Sequence, residues 1–155
     1  MFSYRLTHQS SQDLRRLLSV QTKPLGRILQ EADLISSFQL ETALKNQVQN
    51  PNLRLGEILA ARGLIKPKTA DFFAQNWSKA IVQTEKDVLG FYLQEAGILD
   101  RDQIEIILAE QLTTGIRFGT VAVFQGFLKS TTLDFFLANL FPEQMHRSPF
   151  VNMYS

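Results

Sequence analysis

The sequence predicts an all-α protein: a compact helical bundle of paired helix–turn–helix units, in which one half of the chain repeats the other. Three observations carry this prediction. Apolar residues recur at helical spacing, no segment sustains the period of two that marks a strand, and two motifs each occur twice at nearly the same separation. We therefore expect a tandem duplication.

The repeated motifs define the two halves. The motif L-G-x-x-L-Q-E-A begins at Leu25 and again 64 residues later at Leu89, and T-x-D-F-F-x-x-N begins at Thr69 and again 63 residues later at Thr132. Two independent repeats with almost equal spacing rarely arise by chance. We predict a first half over 24–83 and a second half over 84–141, flanked by an N-terminal tail with a short helix (1–23) and a C-terminal tail (142–155).

The N-terminal tail contains one predicted helix. Leu14, Leu17 and Leu18 share a helical face in the segment from about Ser11 to Val20, and the residues before it show no pattern.

Each half divides into two units that open with a Leu-Gly or Phe-Gly pair. The glycines of these pairs are Gly26, Gly56, Gly90 and Gly119. Apolar residues at helical spacing follow each pair and predict the first helix of the unit. Recurring leucines on the helical faces predict the core, which we expect to contain Leu29, Leu44, Leu59, Leu93 and Leu108.

Glycine predicts where the first helix of each unit ends. Gly63, Gly97 and Gly126 stand where a helix C-cap in the left-handed region is expected in units two, three and four. Asp33 replaces this glycine in unit one.

The second helix of a unit has its own start and stop signals. Asp100 and Gln103 have the spacing of a capping box in unit three, and Pro67 suits the first turn in unit two. Gly115 is expected to end the second helix of unit three, and Pro142 that of unit four, with an irregular tail beyond.

Composition excludes several classes of function. Lys and Arg number 16 and Asp and Glu 15, and the net charge of +1 disfavours binding to nucleic acid or to a membrane surface. The absence of cysteine excludes disulfides, thiolate catalysis and cysteine-ligated metal sites. The N-terminus lacks the apolar core of a signal peptide, and no apolar run approaches the roughly 20 residues of a spanning helix. We expect a cytoplasmic protein without membrane insertion.

No residue pattern predicts an enzyme. The phosphate-binding motif G-x-x-x-x-G-K-[ST] is absent, and His8 and His146 lie in opposite tails. The acidic residues Asp100, Asp102 and Glu105 lie at a helix start, where carboxylates stabilise the helix dipole. We expect no cofactor, no metal site and no catalytic residue.

The unit pattern resembles a known domain. The sequence R-L-G-x-x-L-x-x-x-G, followed by an L-x-x-x-L-x-x-Q helix, is similar to the MshEN domain, which opens the ATPases of type II secretion and type IV pilus machines. Unit three follows the pattern from Leu89 to Gln111 and unit four from Arg117 to Leu137. In that family, two units separated by a short spacer bind one cyclic di-GMP. The resemblance implies nucleotide contacts from Leu25, Gly26, Gln47, Arg54, Leu55, Gly56, Leu89, Gly90, Gln111, Arg117 and Gly119.

The chain departs from this pattern at ligand positions. Pro24 and Val88 replace the opening arginine in units one and three, and Trp77 and Leu140 replace the closing glutamine in units two and four. An arginine can form two parallel hydrogen bonds to guanine O6 and N7, which proline and valine cannot. Each half therefore keeps one arginine and one glutamine.

Two functions stay open on the sequence. One is a non-catalytic regulatory or adaptor module that binds a protein partner such as secretion or pilus machinery. In that case Arg54 and Arg117 are solvated residues at helix starts, and the glycines only permit close packing. The other is a sensor that binds cyclic di-GMP at the Leu-Gly turns and reports it to a partner.

Phenylalanines near the C-terminus suggest a surface for such a partner. Phe135 and Phe136 are consecutive residues of a predicted helix, so their side chains point about 100° apart. Either one faces its own half and the other faces the opposite half, or Phe135, Phe141 and Phe150 contribute to an apolar patch that docks a partner or closes a homodimer.

Overall fold

The computed structural model describes residues 23–145, which form helices joined by short turns, with no strand in that range. The all-α prediction is confirmed. The predicted helix near Ser11–Val20 and the residues from His146 onward, including Phe150, lie outside the described residues.

Both halves alternate short and long helices. The first half contains α1 (Leu25–Glu31), α2 (Ser37–Gln49), α3 (Leu55–Ala61), α4 (Pro67–Asp71) and α5 (Trp77–Val82). A π-helical segment, Phe72–Asn76, joins α4 to α5 without a break. The second half contains α6 (Leu89–Glu95), α7 (Arg101–Thr114), α8 (Phe118–Phe124) and α9 (Ser130–Leu140), and α10 (Pro142–Met145) begins the C-terminal tail.

The turn after each seven-residue helix has the same geometry. The predicted glycines Gly63, Gly97 and Gly126 adopt the left-handed region, with φ of 73°, 71° and 76°. Asp33 takes the same conformation in unit one (φ 59°), which aspartate tolerates better than most residues because its side chain bonds locally. The next amide then bonds back to the helix, as Leu34 does to the Leu29 carbonyl at 2.9 Å.

Side-chain caps start the two long helices. Asp100 accepts from the Gln103 amide at 2.8 Å, and the Gln103 side chain accepts from the Asp100 amide at 2.9 Å, so the predicted capping box is confirmed. Ser36 and Gln39 form the equivalent box at α2. Gly115 ends α7 in the left-handed region, as expected.

The two halves contact each other through equivalent residues. The Thr69 hydroxyl donates to the Ala96 carbonyl at 2.7 Å, and the Thr132 hydroxyl donates to the Ala32 carbonyl at 2.8 Å. Both bonds are buried. Thr69 and Thr132 hold the same motif position, as do Ala32 and Ala96, so the contacts are reciprocal like those of a two-fold dimer. Superposition of the complete halves stays a prediction.

An aromatic cluster joins the π-helical segment and α5 of the first half to α9 of the second half. The Trp77 ring stacks on Phe135 at 5.2 Å with an interplanar angle of 14°, and contacts Phe136 edge-on at 5.4 Å. Phe73 lies 5.1 Å from Trp77 and 6.0 Å from Phe136. Phe135 and Phe136 are adjacent on α9, and both therefore pack against aromatic residues of the first half. Phe136 is fully buried.

The core prediction was right for three leucines and wrong for two. Leu29, Leu59 and Leu93 are fully buried, whereas Leu44 and Leu108 are 42% and 47% exposed. The inward position on each long helix belongs to the preceding residue, which is Ala43 in α2 and Ile107 in α7. One residue rotates the helical face by about 100°, which carries both leucines to the surface.

The C-terminal tail begins differently from the prediction. Pro142 does follow the end of α9, but it starts the short helix α10 where an irregular tail was expected. Proline suits the first helical position because the missing N–H would have no helical partner there.

We predict that Leu93→Ala lowers the free energy of unfolding by about 2–5 kcal/mol, because it leaves a cavity in the packed core. Leu108→Ala, at the mispredicted exposed site, should change it by less than about 1 kcal/mol. Chemical denaturation of the two variants and the wild type measures both values. Similar losses in both variants would contradict the packing described for these helices.

We predict that Thr69→Val lowers the free energy of unfolding by about 1–3 kcal/mol, because a buried hydrogen bond between the halves is lost at constant side-chain volume. Thr113 also donates to a carbonyl, that of Glu110 at 2.9 Å, but on an exposed surface. Thr113→Val is therefore the matched control and should stay within about 0.5 kcal/mol of the wild type. Equal effects in the two variants would show that the bond between the halves contributes nothing.

Candidate functional site

A cleft of about 540 Å³ opens on the second half, between the start of α6, the last turn of α7, α8 and the end of α9. Its polar lining consists of Lys86, Asp87, Gln111, Arg117, Thr120 and Gln144. Its apolar wall includes Val88, Leu89, Phe118, Leu133, Leu137 and Phe141. The cleft therefore combines two basic side chains, one acidic side chain, other hydrogen-bonding groups and an apolar surface.

The cleft brings together residues that the sequence assigned to one site. Leu89, Gln111, Arg117 and Gly119 all line it, although they come from three helices and the turn before α8. The spacer between α7 and α8 explains this, because the left-handed Gly115 ends α7 only two residues before Arg117. The last turn of one helix and the first residue before the next are thereby held side by side.

Arg117 is the N-cap residue of α8 and has an extended backbone, with φ −63° and ψ 148°. Its side chain is largely exposed at the edge of the cleft. The guanidinium offers a planar set of donors. A ligand that carries phosphate or a guanine edge would match this set.

Lys86 is a cleft residue that sequence reasoning missed. Its ammonium donates to the backbone carbonyls of Ala80, Ile81 and Gln83, with 2.8 Å to the Ile81 oxygen, and so caps the end of α5. This anchoring fixes a positive charge beside the cleft. A lysine that follows a helix end is the only sequence signal, and it does not show which cleft the lysine borders.

Tyr92 packs behind the part of the cleft wall that Asp87 and Phe141 form. The hydroxyl of this buried residue accepts from the Asp87 amide at 3.0 Å, and its ring packs edge-on against Phe141 at 6.0 Å. Of the three phenylalanines assigned to partner docking, Phe141 thus lines the cleft, Phe135 stacks on Trp77, and Phe150 lies outside the described residues.

The glycines of the unit openings are required by packing. A Cβ on Gly119 would lie 2.6 Å from a Leu133 methyl group, and one on Gly90 would lie 2.9 Å from the Phe118 ring. Gly119 also lines the cleft, whereas Gly90 is buried behind Phe118. Close helix packing therefore accounts for these glycines without a ligand.

Equivalent glycines pack in the same way in the first half. A Cβ on Gly26 would lie 2.5 Å from a Leu40 methyl group and 3.0 Å from one of Leu55, and a Cβ on Gly56 would lie 3.0 Å from the Ala70 side chain and 3.4 Å from Leu25. The predicted residues of this half lie outside the cleft: Leu25, Gly26, Gln47, Arg54, Leu55 and Gly56.

The first half differs at the positions that build the cleft. Glu57 occupies the position of Thr120, and its carboxylate accepts from the Arg54 amide at 2.9 Å. Gln47, the counterpart of Gln111, donates to the Leu53 carbonyl at 3.5 Å. The wall residues Leu133, Leu137 and Phe141 correspond to Ala70, Ala74 and Ser78. In the first half, a carboxylate thus stands at the position of Thr120, and the apolar wall is reduced.

Helix α9 carries a perturbed carboxyl group next to the cleft wall. One carboxylate oxygen of Asp134 is buried without a hydrogen-bond partner among the described residues. Desolvation by burial raises the pKa of Asp134 above its ordinary value of 3.8, because the charged form loses water. Asp71, at the same motif position in the first half, is exposed.

The described helices supply neither a metal site nor a membrane span. Across 23–145, no three His, Asp or Glu side chains form a group that could hold a metal ion. Within the same range, no helix has the length and apolar character needed to cross a membrane.

The raised pKa predicts a pH-dependent effect of Asp134→Asn. A raised folded-state pKa favours folding at low pH, and this contribution is lost as the pH rises through the folded-state value, so the wild type is penalised at neutral pH. Asp134→Asn should therefore have the higher melting temperature at pH 7, with the difference shrinking toward pH 3.8 and below. Thermal melts across this range, with Asp71→Asn as the exposed control, provide the measurement. A difference that is absent at pH 7, or independent of pH, would contradict the assignment.

Comparison with known proteins assigns no activity. No protein family model matches the chain, and no solved structure matches it. An uncharacterized protein of Picosynechococcus sp. is 41% identical over 116 residues, a stretch that covers 75% of this chain and 63% of that protein. The chain thus spans less than two thirds of the length of this relative.

Proposed function

We propose that this chain is a non-catalytic regulatory module that binds a cyclic dinucleotide in the second-half cleft and reports it to a protein partner. The observation that supports this proposal is the convergence of Leu89, Gln111, Arg117 and Gly119 on one cleft. The resemblance to the MshEN domain implies ligand contacts from these residues, and they come from separate elements.

The chemistry of the cleft suits such a ligand. Its volume of about 540 Å³ falls within the usual range of small-molecule sites. Arg117 and the anchored Lys86 supply positive charge for phosphate groups, and the arginine fork also matches the O6 and N7 atoms of guanine. Phe118, Leu133 and Phe141 provide an apolar wall against which a base can pack.

The proposal implies one ligand per chain. At the equivalent place in the first half, the Glu57 carboxylate accepts from the Arg54 amide, so this backbone donor is already engaged. The small residues Ala70, Ala74 and Ser78 offer less apolar surface than their counterparts in the second half. The first half then serves as a structural partner of the binding half.

Calorimetric titration of the full chain with a panel of cyclic dinucleotides tests this function. We expect one ligand to bind per chain, and Arg117→Ala to weaken binding by about 1–3 kcal/mol, roughly ten- to a hundredfold, through loss of the guanidinium donors. Arg117→Lys should recover only part of the affinity, because it restores the charge without the planar fork.

The matched control is Arg54→Ala, which removes the equivalent arginine of the first half. Arg54 lies outside the cleft, so this variant should bind like the wild type. Equal affinities of the wild type and Arg117→Ala would remove Arg117 from the site. A wild-type chain that binds no cyclic dinucleotide at high micromolar concentration would reject the sensor function.

A second candidate function is that of a protein-binding adaptor without a small ligand. Each long helix exposes two apolar residues one turn apart at equivalent positions, Leu44 and Val48 on α2 and Leu108 and Leu112 on α7. Val48 is 82% exposed and Leu112 is 89% exposed. Exposed apolar residues grouped on a helix are typical of surfaces that contact another protein. A silent titration would favour this adaptor function.

A further inference from the structure

A second cavity, of about 270 Å³, lies where the two halves meet. Its apolar lining includes Leu34 and Leu64 from the first half and Ile98 and Phe127 from the second, which are equivalent pairs. Thr69 and Thr132, the residues that link the halves, also line it, as do Lys66 and Lys129. The cavity therefore has an apolar interior with a lysine from each half.

One of the two lysines already has a carboxylate beside it. The Lys129 ammonium donates to the Asp33 carbonyl at 2.8 Å and lies 3.9 Å from the Asp33 carboxylate. The Thr131 hydroxyl donates to the same carboxylate at 2.6 Å. Asp33 reaches this place from a left-handed turn, so the turn geometry itself positions the carboxylate between Lys129 and Thr131.

The equivalent place in the other half has the cations but lacks the carboxylate. Gly97 replaces Asp33, while Lys66 and Lys68 hold the positions of Lys129 and Thr131. A Cβ on Gly97 would lie 3.0 Å from Thr69 Oγ1, 3.6 Å from Lys66 Cδ and 3.7 Å from Lys68 Cβ. In the part of the chain that the structure describes, neither lysine takes part in an ion pair. The side chains of Lys66 and Lys68 thus lie beside Gly97, at the position where Asp33 carries a carboxylate in the first half.

We propose that this cavity binds a small apolar monocarboxylate, with the carboxylate beside Gly97 between Lys66 and Lys68 and the apolar body inside the cavity. A carboxylate headgroup is inferred because the Asp33 carboxylate occupies the equivalent position in the other half, where it contacts Thr131 and Lys129. A carboxylate also complements the charge of the two lysines beside Gly97. The apolar body follows from the lining of Leu34, Leu64, Ile98 and Phe127.

The size of the ligand follows from the cavity. A volume of about 270 Å³ corresponds to roughly nine water molecules at about 30 Å³ each. Because this pocket is open to solvent, a body of about six to eight carbon atoms is the upper limit of what it can hold. This site is separate from the cleft of the second half, so the proposal does not depend on cyclic dinucleotide binding.

Titration of the full chain with sodium acetate, butyrate, hexanoate and octanoate tests the proposal, with amide NMR signals as the readout. Affinity should rise about fourfold for each methylene added until the cavity is filled, because each added group leaves water. The amide signals of Gly97 and Ile98 should shift. Hexanol, which lacks the charge, should bind about tenfold more weakly than hexanoate.

Variants separate the headgroup contact from a general effect of charge. Lys66→Met with Lys68→Met should weaken hexanoate binding about tenfold or more, whereas the same change at the exposed Lys45 and Lys79 should leave it unaltered. All four lysines are exposed, so the fold should tolerate both double variants.

A second pair of variants fills the space directly. Gly97→Asp places a carboxylate where Asp33 has one in the other half, and it should displace hexanoate. Gly97→Asn has the same size without the charge, and because it fills the same space it should also weaken hexanoate binding. Both residues tolerate the left-handed conformation of this turn better than other side chains do.

Three outcomes would overturn the proposal. The first is equal affinity for acetate and hexanoate, which would reduce the contact to ion pairing at the surface. The second is unchanged hexanoate binding in the Lys66 and Lys68 double variant. The third is loss of hexanoate binding in Arg117→Ala, which would place the ligand in the other cleft.

Discussion

The structure depends on two buried hydrogen bonds between the halves, one donated by each half to the other. Ala32 and Ala96 are the C-cap residues of α1 and α6, and the carbonyls at a helix end lack partners within their own helix. Thr132 and Thr69 donate to these carbonyls from the opposite half. A buried carbonyl without a partner is costly, so neither half can satisfy its own helix end alone. The aromatic cluster and the cavity between the halves are arranged around this exchange.

Corresponding helices of the two halves contribute different features to the structure. In the second half, the large side chains of Leu133, Leu137 and Phe141 stand beside a short spacer that presents Arg117, and a cleft results. In the first half, the helix that corresponds to α9 contains the π-helical segment and contributes Phe73 and Trp77 to the aromatic cluster. The cleft and the aromatic packing surface thus lie on equivalent helices of opposite halves.

Local sequence signals determine the turns and helix starts, and these could be predicted from the sequence. The left-handed glycines, the Asp100 capping box and the buried Leu29, Leu59 and Leu93 all follow from short patterns. Leu44 and Leu108 could not be placed, because leucine is compatible with either face of a long helix. The tertiary contacts chose Ala43 and Ile107 for the inward positions, and alanine gives a weak hydrophobic signal.

Features that depend on contacts distant in sequence were beyond prediction. The F-F-x-x-N motif occurs in both halves, yet it is π-helical at Phe72–Asn76 and α-helical within α9, so the packing around it decides the helix type. Leu89, Gln111, Arg117 and Gly119 line one cleft because the spacer between α7 and α8 is short. Lys86 was missed because its position beside the cleft depends on where α5 ends relative to α9.

The reciprocal threonine contacts have a consequence for how this molecule can change. A symmetric homodimer built on the same contacts would need two chains to meet, and every substitution would alter both sides of its interface. Here a tether within one chain keeps the partners at a high effective concentration, so their association does not depend on the amount of protein. A substitution in one chain also changes only one half. The two halves can therefore differ at equivalent positions, as Glu57 and Thr120 do.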